Sequence, residues 1–121
     1  MLTRPAEIGE DMAKISDVTF SGESGRYAFE VYPINTVFSA DGAVYVFSKR
    51  TVDPSGKGTH LLLYLGQTDS LKERIPNHEK WPCVIRHGTN CICIHRDNSE
   101  ESRLEKETDL RAVHSTPCND Q

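Results

Sequence analysis

From Asp17 onward, apolar and polar positions alternate: Val18 and Phe20, then, beyond the turn SGESG, Tyr27, Phe29 and Val31. A period of two marks a strand with one buried face, and the turn glycines suit a tight reversal, so this stretch predicts a β-hairpin. The apolar stretch AVYVF, from Ala43 to Phe47, predicts another strand, followed by a polar loop, SKRTVDPSGKGTH. The continuous run LLLYL, ending at Gly66, reads as a central strand buried on both faces. Alternation puts Tyr45 on the face of Ala43 and Phe47, and Tyr64 on the face of Leu62. It does not fix the register between the two strands. NCICIH predicts one more strand, with Cys91, Cys93 and His95 on one face and Ile92 and Ile94 on the other.

Helical spacing appears in three places. Ile8, Met12 and Ile15 suggest a short helix within residues 1 to 16. Beyond Gly66, Ser70 with Glu73 has the spacing of a capping box, and Leu71, Arg74, Ile75 and His78 then fall on one helical face. Pro76 should shorten or kink that helix, because it lacks an N–H. The last helix, DNSEESRLEKETDLRAV, is capped by Asp97, Asn98 or Ser99. At about 100° per residue, Glu107 falls midway between Leu104 and Leu110 and faces inward, whereas Glu105 faces water. An inward carboxylate requires a partner or a metal ion.

The chain has 121 residues, long enough for a core without disulfide staples. Its net charge of −4 provides no general attraction for nucleic acid, so phosphate must be met by locally placed cations. Four cysteines without an apolar leader in MLTRPAEIGEDMAK point to a reducing cytoplasm, and no stretch is long enough to span a membrane.

In chain order stand Tyr45 in AVY, Tyr64 in YLGQT, Arg74 in LKER, His78, an inward Glu107 and Asn119 in PCN. In that order, the chain from about Ala43 to Asn119 resembles the GIY-YIG nuclease domain. Alanine at Ala43 replaces the first glycine of the motif, the loop between the motifs is long, and Pro76 interrupts the arginine helix. The resemblance implies an α+β fold: a small three-stranded antiparallel sheet flanked by helices over residues 37 to 121. The hairpin would then be an N-terminal extension over residues 1 to 36.

The activity implied is metal-dependent endonucleolytic hydrolysis of nucleic acid, with DNA the expected form. Catalytic roles fall on Tyr45, Tyr64, Arg74, His78 and Glu107. Glu107 would hold Mg²⁺, or alternatively Mn²⁺, and Arg74 would fork onto phosphate oxygens. Tyr45 would act as general base with His78 taking or relaying the proton, and Tyr64 would orient water or phosphate. Arg74, Asn119 and Lys49 are the expected substrate contacts.

Plainer roles exist for the same residues. Strand tyrosines are more often packing groups, and Glu107 could pair with Arg74 or Arg103. The corresponding alternative is a noncatalytic module that binds nucleic acid or a protein. Cys83, His87, Cys91, Cys93 and His95 could ligate zinc, but they lack paired C-x-x-C spacing, so buried free thiols are the default expectation.

Overall fold

A computed structural model describes residues 14 to 119. The strands are β1 (Ser16–Ser21), β2 (Arg26–Pro33), β3 (Ala43–Val52), β4 (Gly58–Thr68) and β5 (Cys91–Arg96). The helices are α1 (Leu71–Arg74), α2 (Trp81–Arg86) and α3 (Glu100–Arg111). The helix expected within residues 1 to 16 lies almost wholly outside the described residues. No helix among them is long and apolar enough to cross a membrane.

All five strands form one curled antiparallel sheet in the order β1-β2-β5-β3-β4. This corrects the expected three-stranded sheet. The β1–β2 hairpin is no appendage, because β2 pairs along β5 with Val31 opposite Cys93 and Tyr32 opposite Ile92. Leaving β5 as an edge would expose its backbone groups beside an apolar strand, and β2 satisfies them. The hairpin is also fastened from behind. Asp109 of α3 accepts hydrogen bonds from the Tyr27 hydroxyl at 2.7 Å and from the N–H groups of Ser24 and Gly25 at 2.8 and 3.0 Å.

The polar loop between β3 and β4 is shorter than its composition suggested, because both strands run on through polar residues as an exposed two-stranded ribbon. Only residues 53 to 57 turn. The Asp53 carboxylate accepts from the N–H groups of Ser55 and Lys57, and Gly56 takes a φ of 91°, a conformation that favours glycine.

The sheet has an apolar layer on each face. One contains Tyr32, Ala43, Tyr45, Phe47, Leu63, Ile92 and Ile94 under α1 and α2; the other contains Phe29, Val31, Val44, Val46, Leu65 and Cys93 under Leu110 of α3. A bulge after Phe47 breaks the β3–β4 register. It puts the consecutive residues Leu63 and Tyr64 on the first face and Leu62 on the second, so Tyr64 does not share a face with Leu62.

Cys83 and Cys118 form a disulfide that ties the C-terminal segment to α2, correcting the expectation of a free thiol at Cys83. Cys91 and Cys93 are free and buried.

Candidate active site

The site begins with two tyrosines on one face of neighbouring strands. Tyr45 lies opposite Gly66, and Phe47 opposite Tyr64. The two tyrosine rings therefore meet diagonally, 6.1 Å apart and inclined by 27°. Gly66 leaves room for this arrangement, since a Cβ there would stand 2.9 Å from both the Tyr45 hydroxyl and the Tyr64 ring.

Below them, α1 is a single turn. Ser70 caps it by accepting from the Glu73 N–H at 3.4 Å. The reciprocal half of the predicted capping box is replaced, because the Ser70 N–H goes to the Thr68 hydroxyl at 3.0 Å. Pro76 follows the helix, and the chain continues as a turn that still buries His78.

Three polar atoms meet there: the Tyr45 hydroxyl lies 2.8 Å from His78 Nε2 and accepts from Arg74 Nε at 3.4 Å. The Lys80 N–H donates to His78 Nδ1 at 3.1 Å. Burial and the Arg74 charge lower the His78 pKa to about 4, so the ring is neutral at pH 7. With Nδ1 accepting, the remaining proton sits on Nε2 and is donated to Tyr45. His78 is therefore a donor to the phenol oxygen and not, in this tautomer, the receiver of its proton. Burial raises the Tyr45 pKa well above the ordinary phenol value, against the lowering effect of Arg74. Arg74 also forks onto Glu79 at 2.7 and 3.2 Å, and this bond holds the Glu79 pKa down at about 2.

The other predicted residues fall elsewhere. Lys49 shares the strand face of Tyr45 but is four residues further along β3, beside Gly88. The Asn119 amide is bound to the edge of β4, with Oδ1 accepting from the Leu65 N–H at 2.8 Å and Nδ2 donating to the Leu65 carbonyl at 2.9 Å. Its role in this state is to cover a strand edge.

Glu107 belongs to α3, on the opposite sheet face from Tyr45. The buried stripe of α3 runs from Arg103 to Leu110, not from Leu104, which is 43% exposed. Glu107 is half-buried on that stripe, and burial raises its pKa against the lowering effect of Arg111. Among the described residues, no donor hydrogen-bonds its carboxylate. A free, partly desolvated carboxylate suits one-carboxylate binding of Mg²⁺ or Mn²⁺, ions that retain several waters.

The two layers meet at the end of β4 in a cavity of about 300 Å³, where Arg74 of α1 and Arg103 of α3 line the walls with Gln67, Thr68, Asp69 and Glu100. Arg103 escaped the sequence reading except as a possible partner for Glu107, because a cation at the fourth position of a polar helix looks solvated. Its buried state follows from Gly42, which leaves space for it. A Cβ at Gly42 would fall 2.6 Å from Arg103 Nη1.

The zinc candidates are dispersed. Cys91 and Cys93 pack on the α3 face, and His95 donates from Nδ1 to the Ala28 carbonyl while accepting from Lys106. Cys83 and His87 do approach each other, with Cys118 as third neighbour, but the two sulfurs are joined as the disulfide.

No family model matches the chain, no curated protein matches it, and no solved structure matches it.

Proposed function

We propose that the chain is a metal-dependent endonuclease that hydrolyses phosphodiester bonds in nucleic acid, with DNA the preferred substrate. The observation that supports this best is the convergence of the Tyr45 hydroxyl, His78 Nε2 and Arg74 Nε beside a cavity walled by two arginines. Two N–H donors on one phenol oxygen stabilise the phenolate. In this reading the phenolate takes a proton from water, the water oxygen bonds to phosphorus, and the P–O bond to the leaving group breaks. The departing oxygen takes its proton from solvent. Arg74 neutralises the phosphoryl oxygens, and Tyr64 walls the site against His78, with ring centres 4.7 Å apart. A divalent ion would supply Lewis-acid neutralisation of phosphate charge. Glu107, the carboxylate suited to hold one, lies on the opposite sheet face from Tyr45 and does not line the cavity, so the roles at the phosphate fall on Tyr45 and Arg74.

The test is nicking of DNA and RNA by purified protein with Mg²⁺ or Mn²⁺, beside Tyr45→Phe and Arg74→Ala. Each variant should lose at least about a hundredfold in rate, the scale of one general-base or electrostatic contribution. Wild type cutting no faster than these variants would sink the proposal. The active form is the phenolate, and its pKa is raised. The rate should therefore climb about tenfold per pH unit from pH 6 upward, with no plateau before the ordinary phenol value of about 10. His78 acting as the base would instead give an inflection near pH 4.

One observation favours a second reading. Tyr45 is only 1% exposed, as expected of a polar network that merely orders a binding module for nucleic acid or protein. That module would bind oligonucleotide without cutting it.

The proposal also places the chain in the cytoplasm with its substrate. The Cys83–Cys118 disulfide argues the other way, because such bonds persist in oxidising surroundings. Thiol titration of protein taken from cells without reductant and then denatured decides between them. All four cysteines react if the chain is reduced, and only Cys91 and Cys93 if it is oxidised.

A further inference from the structure

Arg103 is 4% exposed, yet among the described residues it forms no ion pair with a carboxylate. Its hydrogen-bond partners among the described residues are neutral oxygens: Nε donates to Gln67 Oε1 at 2.9 Å and Nη1 to the Asp97 carbonyl at 3.1 Å. A buried cation satisfied only by neutral dipoles keeps its charge uncompensated, which is costly unless an anion arrives to use it.

The surroundings are built for this cation. Gly42 provides the space beside Nη1, and Gln67 and the Asp97 carbonyl fix the plane of the guanidinium. Its open side lines the same cavity as Arg74. The two acidic residues on that wall, Asp69 and Glu100, are solvent-exposed, so water screens them more than it screens Arg103. Arg74 gives one N–H from each Nη to Glu79, and each Nη carries a second.

We infer that Arg103 and Arg74 form a paired anion site that holds two successive phosphates of a polynucleotide strand, Arg74 taking one and Arg103 its neighbour. The site rests on the reading of the substrate as nucleic acid, and it narrows that substrate to a chain with at least two phosphates. A guanidinium fixed in plane presents parallel N–H groups to phosphate oxygens, a geometry that lysine cannot supply.

The test uses the dinucleotides pTpT and TpT, which differ by one phosphate, in metal-free buffer. Binding is followed by calorimetry and by the NMR signals of the arginine Nε–H groups. Wild type should bind pTpT about tenfold more tightly than TpT, and both the Arg74 and Arg103 signals should move with pTpT. In Arg103→Lys and Arg103→Met, the preference for pTpT should fall below about twofold. The wild-type NMR measurement needs no variant and stands even if those proteins fold poorly. An Arg103 signal that stays fixed while pTpT saturates the Arg74 signal overturns the inference, whether or not the protein cuts DNA. Both signals moving in a protein that cuts nothing sustains the paired site and removes the nuclease reading alone.

Discussion

Gly66 and Gly42 do related work at the scale of single residues: each withholds a Cβ so that a polar group of another residue can occupy the space. Gly66 admits the Tyr45 hydroxyl, and Gly42 admits the Arg103 guanidinium. The order of Tyr45, Tyr64, Arg74 and His78 along the chain was legible in the sequence, and the fold brings these four side chains together. The tautomer of His78 was not, since it depends on a single backbone N–H from Lys80. Arg103 was missed for a similar reason, as nothing in the local pattern of α3 distinguishes a buried arginine from a solvated one. The Arg74–Glu79 pair leads to a prediction at this scale. Its carboxylate occupies two N–H groups that a phosphate would use, and Glu79 is an exposed partner whose attraction is screened. Glu79→Gln should tighten binding of a short oligonucleotide by up to about fivefold, the equivalent of one exposed ion pair. Unchanged or weaker binding by calorimetry would show that Glu79 does not compete for Arg74.

The elements show where pattern succeeds and where it stops. Alternation located the strands containing Phe20, Phe29 and Ile92, and an apolar run the strand containing Tyr45. β1 packs one face and exposes the other, while Tyr45 and Ile92 lie on strands buried on both faces. Alternation could not detect the bulge after Phe47, which inserts a residue without changing composition and carries Tyr64 to the face opposite Leu62. It also placed Leu104 inward. The helix instead buries Arg103 and Leu110, and uses Asp109 to grip the turn between β1 and β2. That grip can be measured. Asp109→Ala removes the acceptor of three hydrogen bonds and should lower the thermal midpoint of the protein. Hydrogen exchange should quicken first at Ser24, Gly25 and along β1, and uniform exchange across the sheet would contradict the local role assigned to Asp109.

In the whole molecule, the main failure of the sequence reading was the extent of the sheet. A hairpin near the start of a chain resembles an appendage until its partner strand is known, and that partner, β5, lies some sixty residues further on. The disulfide is a second long-range constraint invisible to local pattern, joining residues separated by 35 positions. By loop-closure entropy it contributes about 4 kcal/mol through the unfolded chain. Cys118→Ser, or reduction of the wild type, should lower the thermal midpoint by several degrees or more. A midpoint unchanged by reductant would mean that the bond contributes no stability.

The strand order has a consequence for the birth of the protein. β5 sits between β2 and β3, both of which precede it in the chain, so it fills a slot whose two walls are synthesised first. A nascent chain stopped before Cys91 would carry two open strand edges facing a gap, the kind of surface that recruits neighbouring chains into aggregates. Assembly of the sheet is thus a late insertion dominated by contacts distant in sequence, which makes for slow folding. The tyrosine site, hung on β3 beside that slot, lacks one of its strand neighbours until β5 has been synthesised, since Tyr45 lies opposite Ile94.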